Sequence, residues 1–151
     1  MKKVLLVLAC LLMLVGCHNE EVSNSTIIST DYFTVEVPES WEGLYEYQIF
    51  NEEVYGYSLV LFEKESYHSM NAGHLMSISL YLDSEDYTYL PSYDYLGTLE
   101  TGDKVYNVLV EYPTDVQFEQ EYADEYQYLS KDMDDIIKTI MPRNGSIYKK
   151  V

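Results

Sequence analysis

Histidine is the side chain whose ordinary pKa best suits acid–base chemistry or metal ligation near neutral pH. Beyond His18 this chain has two, His68 and His74. They flank a connection that contains Gly73, and their separation is not the i, i+4 spacing that puts two zinc ligands on one helix face. A nucleophilic triad would also need a hydroxyl and an orienting group. Ser66, Ser69 and Asp83 are available, but nothing in their spacing converges on an imidazole. His74, at the start of a predicted strand, is expected to serve as a structural hydrogen-bonding group.

Carboxylates are the second resource. Asp83, Glu85 and Asp86 crowd one loop, and hard oxygen ligands suit calcium. The loop lacks the Asp-x-Asp-x-Asp-Gly pattern and has no glycine to shape it, so a solvated acidic loop is expected and no metal. Asp132, Asp134 and Asp135, with Lys131 and Lys138 nearby, are expected on the polar face of a helix. Neither a glycine-rich phosphate loop nor a nucleic-acid motif is present, and no cofactor is expected.

Aromatic planes are the third. The chain has 17 tyrosines against one tryptophan and four phenylalanines. Tyrosine favours strands and carries a polar tip, so most are expected to belong to a sheet. The densest group is Tyr81, Tyr87, Tyr89, Tyr93 and Tyr95. Rings beside carboxylates suit a sugar, a cationic ligand or a protein partner. The competing expectation is a loop packed over a sheet edge. With 26 acidic and nine basic residues, the net charge of −17 repels nucleic-acid phosphates and anionic headgroups and attracts basic partners.

The elements that position these groups follow from hydropathic period. Residues 31–37 alternate, with Phe33, Val35 and Val37 facing inward, and Trp41 follows as a plug for one end of the core. Further strands are predicted over 44–50, 57–63, 74–82, 93–99 and 104–112. The Leu59–Phe62 run suggests a central strand, buried on both faces. Thr101-Gly102-Asp103 makes a tight hairpin turn. Thr114 and Gln117 have capping-box spacing, and Phe118, Tyr122, Tyr126, Leu129, Met133, Ile136 and Ile140 step by three or four residues. One long C-terminal helix ending before Pro142 is therefore expected. The fold class is α+β: a mostly antiparallel sheet of about six strands, covered on one face by that helix.

The N-terminus supplies an address. Lys2 and Lys3, the apolar run from Val4 to Val15, then Gly16 and Cys17 follow the order of a secretory signal. The run is too short for a spanning helix, which needs about 20 apolar residues. Leu14-Val15-Gly16-Cys17 resembles the lipobox of bacterial lipoproteins, which implies cleavage before Cys17 and lipid attachment to it. The expected organisation is a signal peptide over 1–16, a lipidated Cys17 with a flexible tether over 17–30, and a single domain over 31–151. Cys10 would leave with the signal, so no cysteine would remain for a disulfide.

The body of the chain also resembles a family of small uncharacterised lipoproteins and secreted domains of Gram-positive bacteria. The likeness rests on Tyr32-Phe33-Thr34-Val35 with Val37-Pro38-Glu39-Ser40-Trp41, Gly73-His74-Leu75, Leu96-Gly97 and Tyr112-Pro113-Thr114-Asp115-Val116-Gln117. That family has no assigned activity. The opening phrase is similar, more distantly, to the PsbP-like fold of the photosystem II extrinsic subunit, which implies an antiparallel sheet flanked by helices.

Together these observations lead to a membrane-anchored extracytoplasmic lipoprotein, held through Cys17. Its acidic, tyrosine-rich domain would bind a basic protein or a sugar at Tyr81, Tyr87, Tyr89, Tyr93 and Tyr95, rather than transform it. An extracytoplasmic hydrolase using His68 or His74 is the alternative.

Overall fold

The computed structural model describes residues 25–52, 56–115 and 117–151. Cys17 and the signal-like segment lie outside the described residues. The fold is α+β, with two antiparallel sheets. Strands β1 (Thr26–Ser29), β2 (Phe33–Val37) and β8 (Met141–Pro142) form the smaller sheet in the order β1-β2-β8. The larger has the order β3-β4-β5-β7-β6-β9, from β3 (Tyr45–Glu52), β4 (Gly56–Glu63), β5 (His74–Leu82), β7 (Lys104–Glu111), β6 (Tyr93–Thr101) and β9 (Ile147–Lys150). Helix α1 (Lys64–Met70) joins β4 to β5, and α2 (Ala123–Ser130) and α3 (Met133–Lys138) precede β8.

Alternation places the core. Phe33, Val35 and Val37 from β2 meet Leu59 and Leu61 from β4, Met76, Ile78 and Leu80 from β5, and Val108 and Val110 from β7 in one buried cluster. Trp41 is fully buried, and its indole N–H donates to Asp132 Oδ2 at 3.1 Å, so the plug also ties the α2–α3 junction to the core. Tyr32, Tyr57 and Tyr106 pack ring against ring, with centroids 4.7 Å apart for the first pair and 5.8 Å for the second. These three tyrosines therefore serve the interior.

Four expectations need correction. The tether expected to reach residue 30 instead contains β1, because Ile28 is buried and the Thr30 hydroxyl closes a turn by accepting from the Tyr32 and Phe33 amides at 3.1 and 3.0 Å. The first expected strand, β2, sits in the smaller sheet rather than the large one. The central positions of the large sheet belong to β5 and β7, while β4, with Leu59 and Leu61 buried and Val60 and Phe62 half-buried, lies one strand from the edge.

The fourth concerns the helix. The Thr114–Gln117 box does not start one. The Gln117 carbonyl instead accepts from the Gly73 amide, and the Glu119 amide donates to Ser66 Oγ at 3.4 Å, which draws the segment out along α1. The chain then forms a 3-10 turn, Gln120–Tyr122, followed by two short helices in place of one long one. The Ser130 hydroxyl donates to the Tyr126 carbonyl at 2.7 Å, a back-bond that bends helices, just where Asp132 is held by Trp41. The apolar stripe survives the break. Leu129, Ile136 and Ile140 are in the core, with Tyr126 and Met133 packed against it.

The basic tail also has a place, as β9 on the outer side of β6. Gly97 permits it: its φ is +134°, and a Cβ there would collide with the Lys149 carbonyl oxygen. Among the described residues, no helix is long and apolar enough to cross a membrane.

Candidate functional site

β5 and β6 each pair antiparallel with β7, so they run parallel to one another. Their connection cannot be a hairpin; it must travel the length of β7. Residues 83–92 make that journey as a strap. It leaves with the Asp83 amide donating to the Val105 carbonyl at 2.9 Å, at the start of β7. It arrives with the Ser92 carbonyl accepting from the Tyr112 amide at 3.1 Å, just past the end of β7. Local carboxylates shape its course. Glu85 accepts from the Leu82 amide at 2.8 Å, and Asp86 accepts from the Thr88 amide and hydroxyl at 2.9 and 2.7 Å, an Asx-type turn.

Register identifies the face that the strap covers. Tyr81 pairs with Asn107, Tyr93 with Glu111 and Tyr95 with Leu109, so all of these side chains lie on the sheet face opposite Val108 and Val110. Tyr87, from the strap, packs 6.1 Å from the Tyr81 ring and 5.6 Å from the Tyr93 ring, edge-on to the latter at 88°. It thus bridges β5 and β6 across β7. Ser79, Asn107 and Leu109 on this face are buried. The tyrosine loop is therefore a cover over a central strand rather than over a sheet edge.

The five tyrosines of the candidate site fall into two groups. Tyr81, Tyr87 and Tyr93 form the continuous ring row. Tyr89 and Tyr95 present area to solvent, with exposures of 71% and 38%. Asp83, Glu85 and Asp86 are exposed on the same strap, with Asp83 near enough to act on the Tyr87 phenol and Glu85 on the Tyr81 phenol, while Asp94 alternates to the other side of β6, opposite Val110. The Tyr81 hydroxyl donates to Glu111 Oε1 at 3.2 Å. Burial, then Glu111, pushes that phenol far above its ordinary value.

The histidines stand apart from one another. His68 Nε2 is 3.3 Å from Glu46 Oε1 on exposed surface. His74 Nε2 lies 2.9 Å from Ser77 Oγ. Burial lowers the His74 pKa, against an opposing pull from Glu111, so the imidazole is neutral at pH 7. Ser66 and Ser69 are occupied within α1, where the Ser66 hydroxyl accepts from Glu119 and the Ser69 hydroxyl donates to the Ser66 carbonyl at 3.4 Å. Asp83 follows the end of β5 remote from His74.

Sequence reasoning missed Ser77 as the partner of His74. Residues three apart on a regular strand face opposite sides. Here Met76 pairs with Leu61 while His74 pairs with Phe62, and that irregularity brings His74 and Ser77 to one face. Ser77 itself is flanked by Val60 and Glu111 in the ladders. Its strand is hydrogen-bonded on both sides, which leaves no backbone N–H array aimed at a developing oxyanion.

One buried acid remains. The Glu63 side chain is fully buried and caps α1 by accepting from the Glu65 and Ser66 amides at 2.6 and 2.8 Å. Glu125 of α2 lies within hydrogen-bonding reach of it, and burial, Glu63 and Glu65 all raise the Glu125 pKa, with Lys64 opposing. A raised carboxyl pKa contributes stability that is present below the unfolded value and is lost as pH rises through the folded one. Glu125→Gln is therefore expected to raise the melting temperature at pH 7 and to change it little at about pH 4, near the unfolded carboxyl pKa. Parallel melting curves at the two pH values check this; an equal change at both would place the effect outside ionisation.

Among the described residues, no group of three or more His, Cys, Asp or Glu is arranged to hold a metal ion. Comparison with family models, with curated proteins and with solved structures gives no match to this chain.

Proposed function

We propose that this chain is a lipid-anchored extracytoplasmic lipoprotein whose acidic domain captures a basic protein or a sugar on its tyrosine face. The observation that carries this reading is the strap. Tyr87 is wedged between Tyr81 and Tyr93, which holds the connection against the sheet, while Tyr89 and Tyr95 are open to solvent on a strap and strand that also expose Asp83, Glu85 and Asp86. Loops held on a rigid scaffold are where recognition side chains concentrate. The anchor half of the reading rests on the lipobox-like Leu14-Val15-Gly16-Cys17.

A hydrolase is the second reading, and the Ser77–His74 contact is the observation in its favour. The ladders that engage the Ser77 strand on both sides place it second.

The test removes the exposed rings and keeps the wedge. Tyr89→Ala with Tyr95→Ala is expected to weaken capture of the crosslinked partner on intact cells about tenfold or more, since exposed anchor rings dominate such surfaces. The melting temperature should hardly move. Undiminished capture by a folded double variant would place recognition elsewhere on the domain.

A further inference from the structure

The tyrosine face carries carboxylates that no ion pair among the described residues neutralises. Asp83, Glu85 and Asp86 line the strap, and Glu111 lies beneath Tyr81. The ion pairs among the described residues join His68 to Glu46, Lys138 to Asp135 and Lys149 to Glu100, so none reaches these four carboxylates. Glu85, Asp86 and Glu111 instead take hydrogen bonds from neutral donors, namely the Leu82 amide, Thr88 and the Tyr81 hydroxyl. The phenols are shifted first by burial, and the carboxylates add to the rise. Tyr87 is raised by burial and then by Tyr95, Tyr93 and Asp83, while Glu85 contributes to the rise at Tyr81.

Neutral rings beside uncompensated carboxylates attract a cation in two ways, through the ring quadrupole and through direct charge. Shape and hydration select among cations. An amino sugar brings one ammonium per ring unit, on a compact and strongly hydrated centre. A guanidinium is planar, weakly hydrated and forked, so it stacks on tyrosine while bonding a carboxylate in two places. Several of them on one extended chain answer several carboxylates together.

We propose that the strap and the adjoining ends of β5 and β6 dock an arginine-rich polypeptide segment of a protein partner, with Tyr89 and Tyr95 as stacking platforms and Asp83 and Glu85 as charge partners. This rests on the reading that the tyrosine face is the capture surface.

The experiment uses the full chain in neutral detergent and a fluorescent synthetic peptide in which arginines alternate with glycine and serine. Its controls are the same peptide with lysine or glutamine in place of arginine, and a chitosan oligomer as the amino-sugar probe. The arginine peptide is expected to bind about tenfold more tightly than the lysine peptide, a difference of ~1.4 kcal/mol. It should bind more tightly still relative to the glutamine peptide. Asp83→Asn with Glu85→Gln should weaken it about tenfold by the same conversion. Removing two exposed carboxylates off this face, through Glu39→Gln and Glu42→Gln, should leave it unchanged.

Equal weakening by both pairs of substitutions would reduce the effect to net charge and overturn the inference. Chitosan binding that depends on Tyr89 and Tyr95, without arginine-peptide binding, would overturn the arginine assignment while sustaining the tyrosine surface. Arginine-peptide binding that survives loss of both rings would overturn the surface reading together with the inference.

Discussion

Ile136→Ala is expected to lower the stability of this domain by about 2–5 kcal/mol, the range for truncating a buried aliphatic side chain. Ile136 is essentially unexposed and belongs to the core cluster together with Leu129 and Ile140. Deleting its methyl and methylene groups removes apolar burial and leaves a cavity that the surrounding sheet residues cannot fill without strain. Its neighbour is the control. Asp135 lies on the solvent side of α3 in an exposed pair with Lys138 at 2.6 Å. Solvent screens such an exposed pair, so Asp135→Ala should shift the melt only slightly. Chemical denaturation of both variants gives the comparison. Equal, small effects would show that α3 does not pack on the core in solution.

Cys17→Ser is expected to abolish lipid attachment. The proposal of an anchor depends on a thiol that can be alkylated, and serine at that position offers no such group. Each acyl methylene buried in a bilayer contributes about 0.8 kcal/mol, and stable anchoring takes more than one chain, so a cleaved chain without the acylated residue keeps nothing of comparable strength. The acidic surface does not substitute for it, because anionic headgroups repel it. The variant should appear as soluble protein or as uncleaved precursor, without incorporated palmitate. A mature, palmitate-labelled Cys17→Ser protein in the membrane fraction would remove the lipobox from the account.

Local pattern located most of the strands. Alternation is a property of consecutive residues, and it marked β2 and β5, while the unbroken apolar runs Leu59–Phe62 and Val108–Val110 marked β4 and β7, the latter buried on both faces. The helical stripe was legible for the same reason, since Leu129, Ile136 and Ile140 share a face whether or not one continuous helix carries them. Its continuity was not legible. The break joins a local back-bond from Ser130 to Tyr126 with Trp41 holding Asp132, and the delayed start follows bonds from Gly73 to Gln117 and from Glu119 to Ser66; apart from the back-bond, these join residues distant in the chain.

The candidate site divides in the same way. Composition alone determined that the chain is acidic and tyrosine-rich, and that five rings lie between Tyr81 and Tyr95. Residue order supplies Leu14-Val15-Gly16-Cys17, the contiguous motif on which the proposed anchor rests. Only the tertiary structure decided that β7 lies between β5 and β6, which turns an apparent surface loop into a strap across a central strand. It likewise sorted Tyr87 into the wedge and Tyr89 into the solvent, and brought Ser77 to His74 through an irregular register. The physical reason is common to these cases. Periodicity reports which side of an element a residue faces, whereas strand order and register are set by which elements pack together, and that choice is made by residues far apart in sequence.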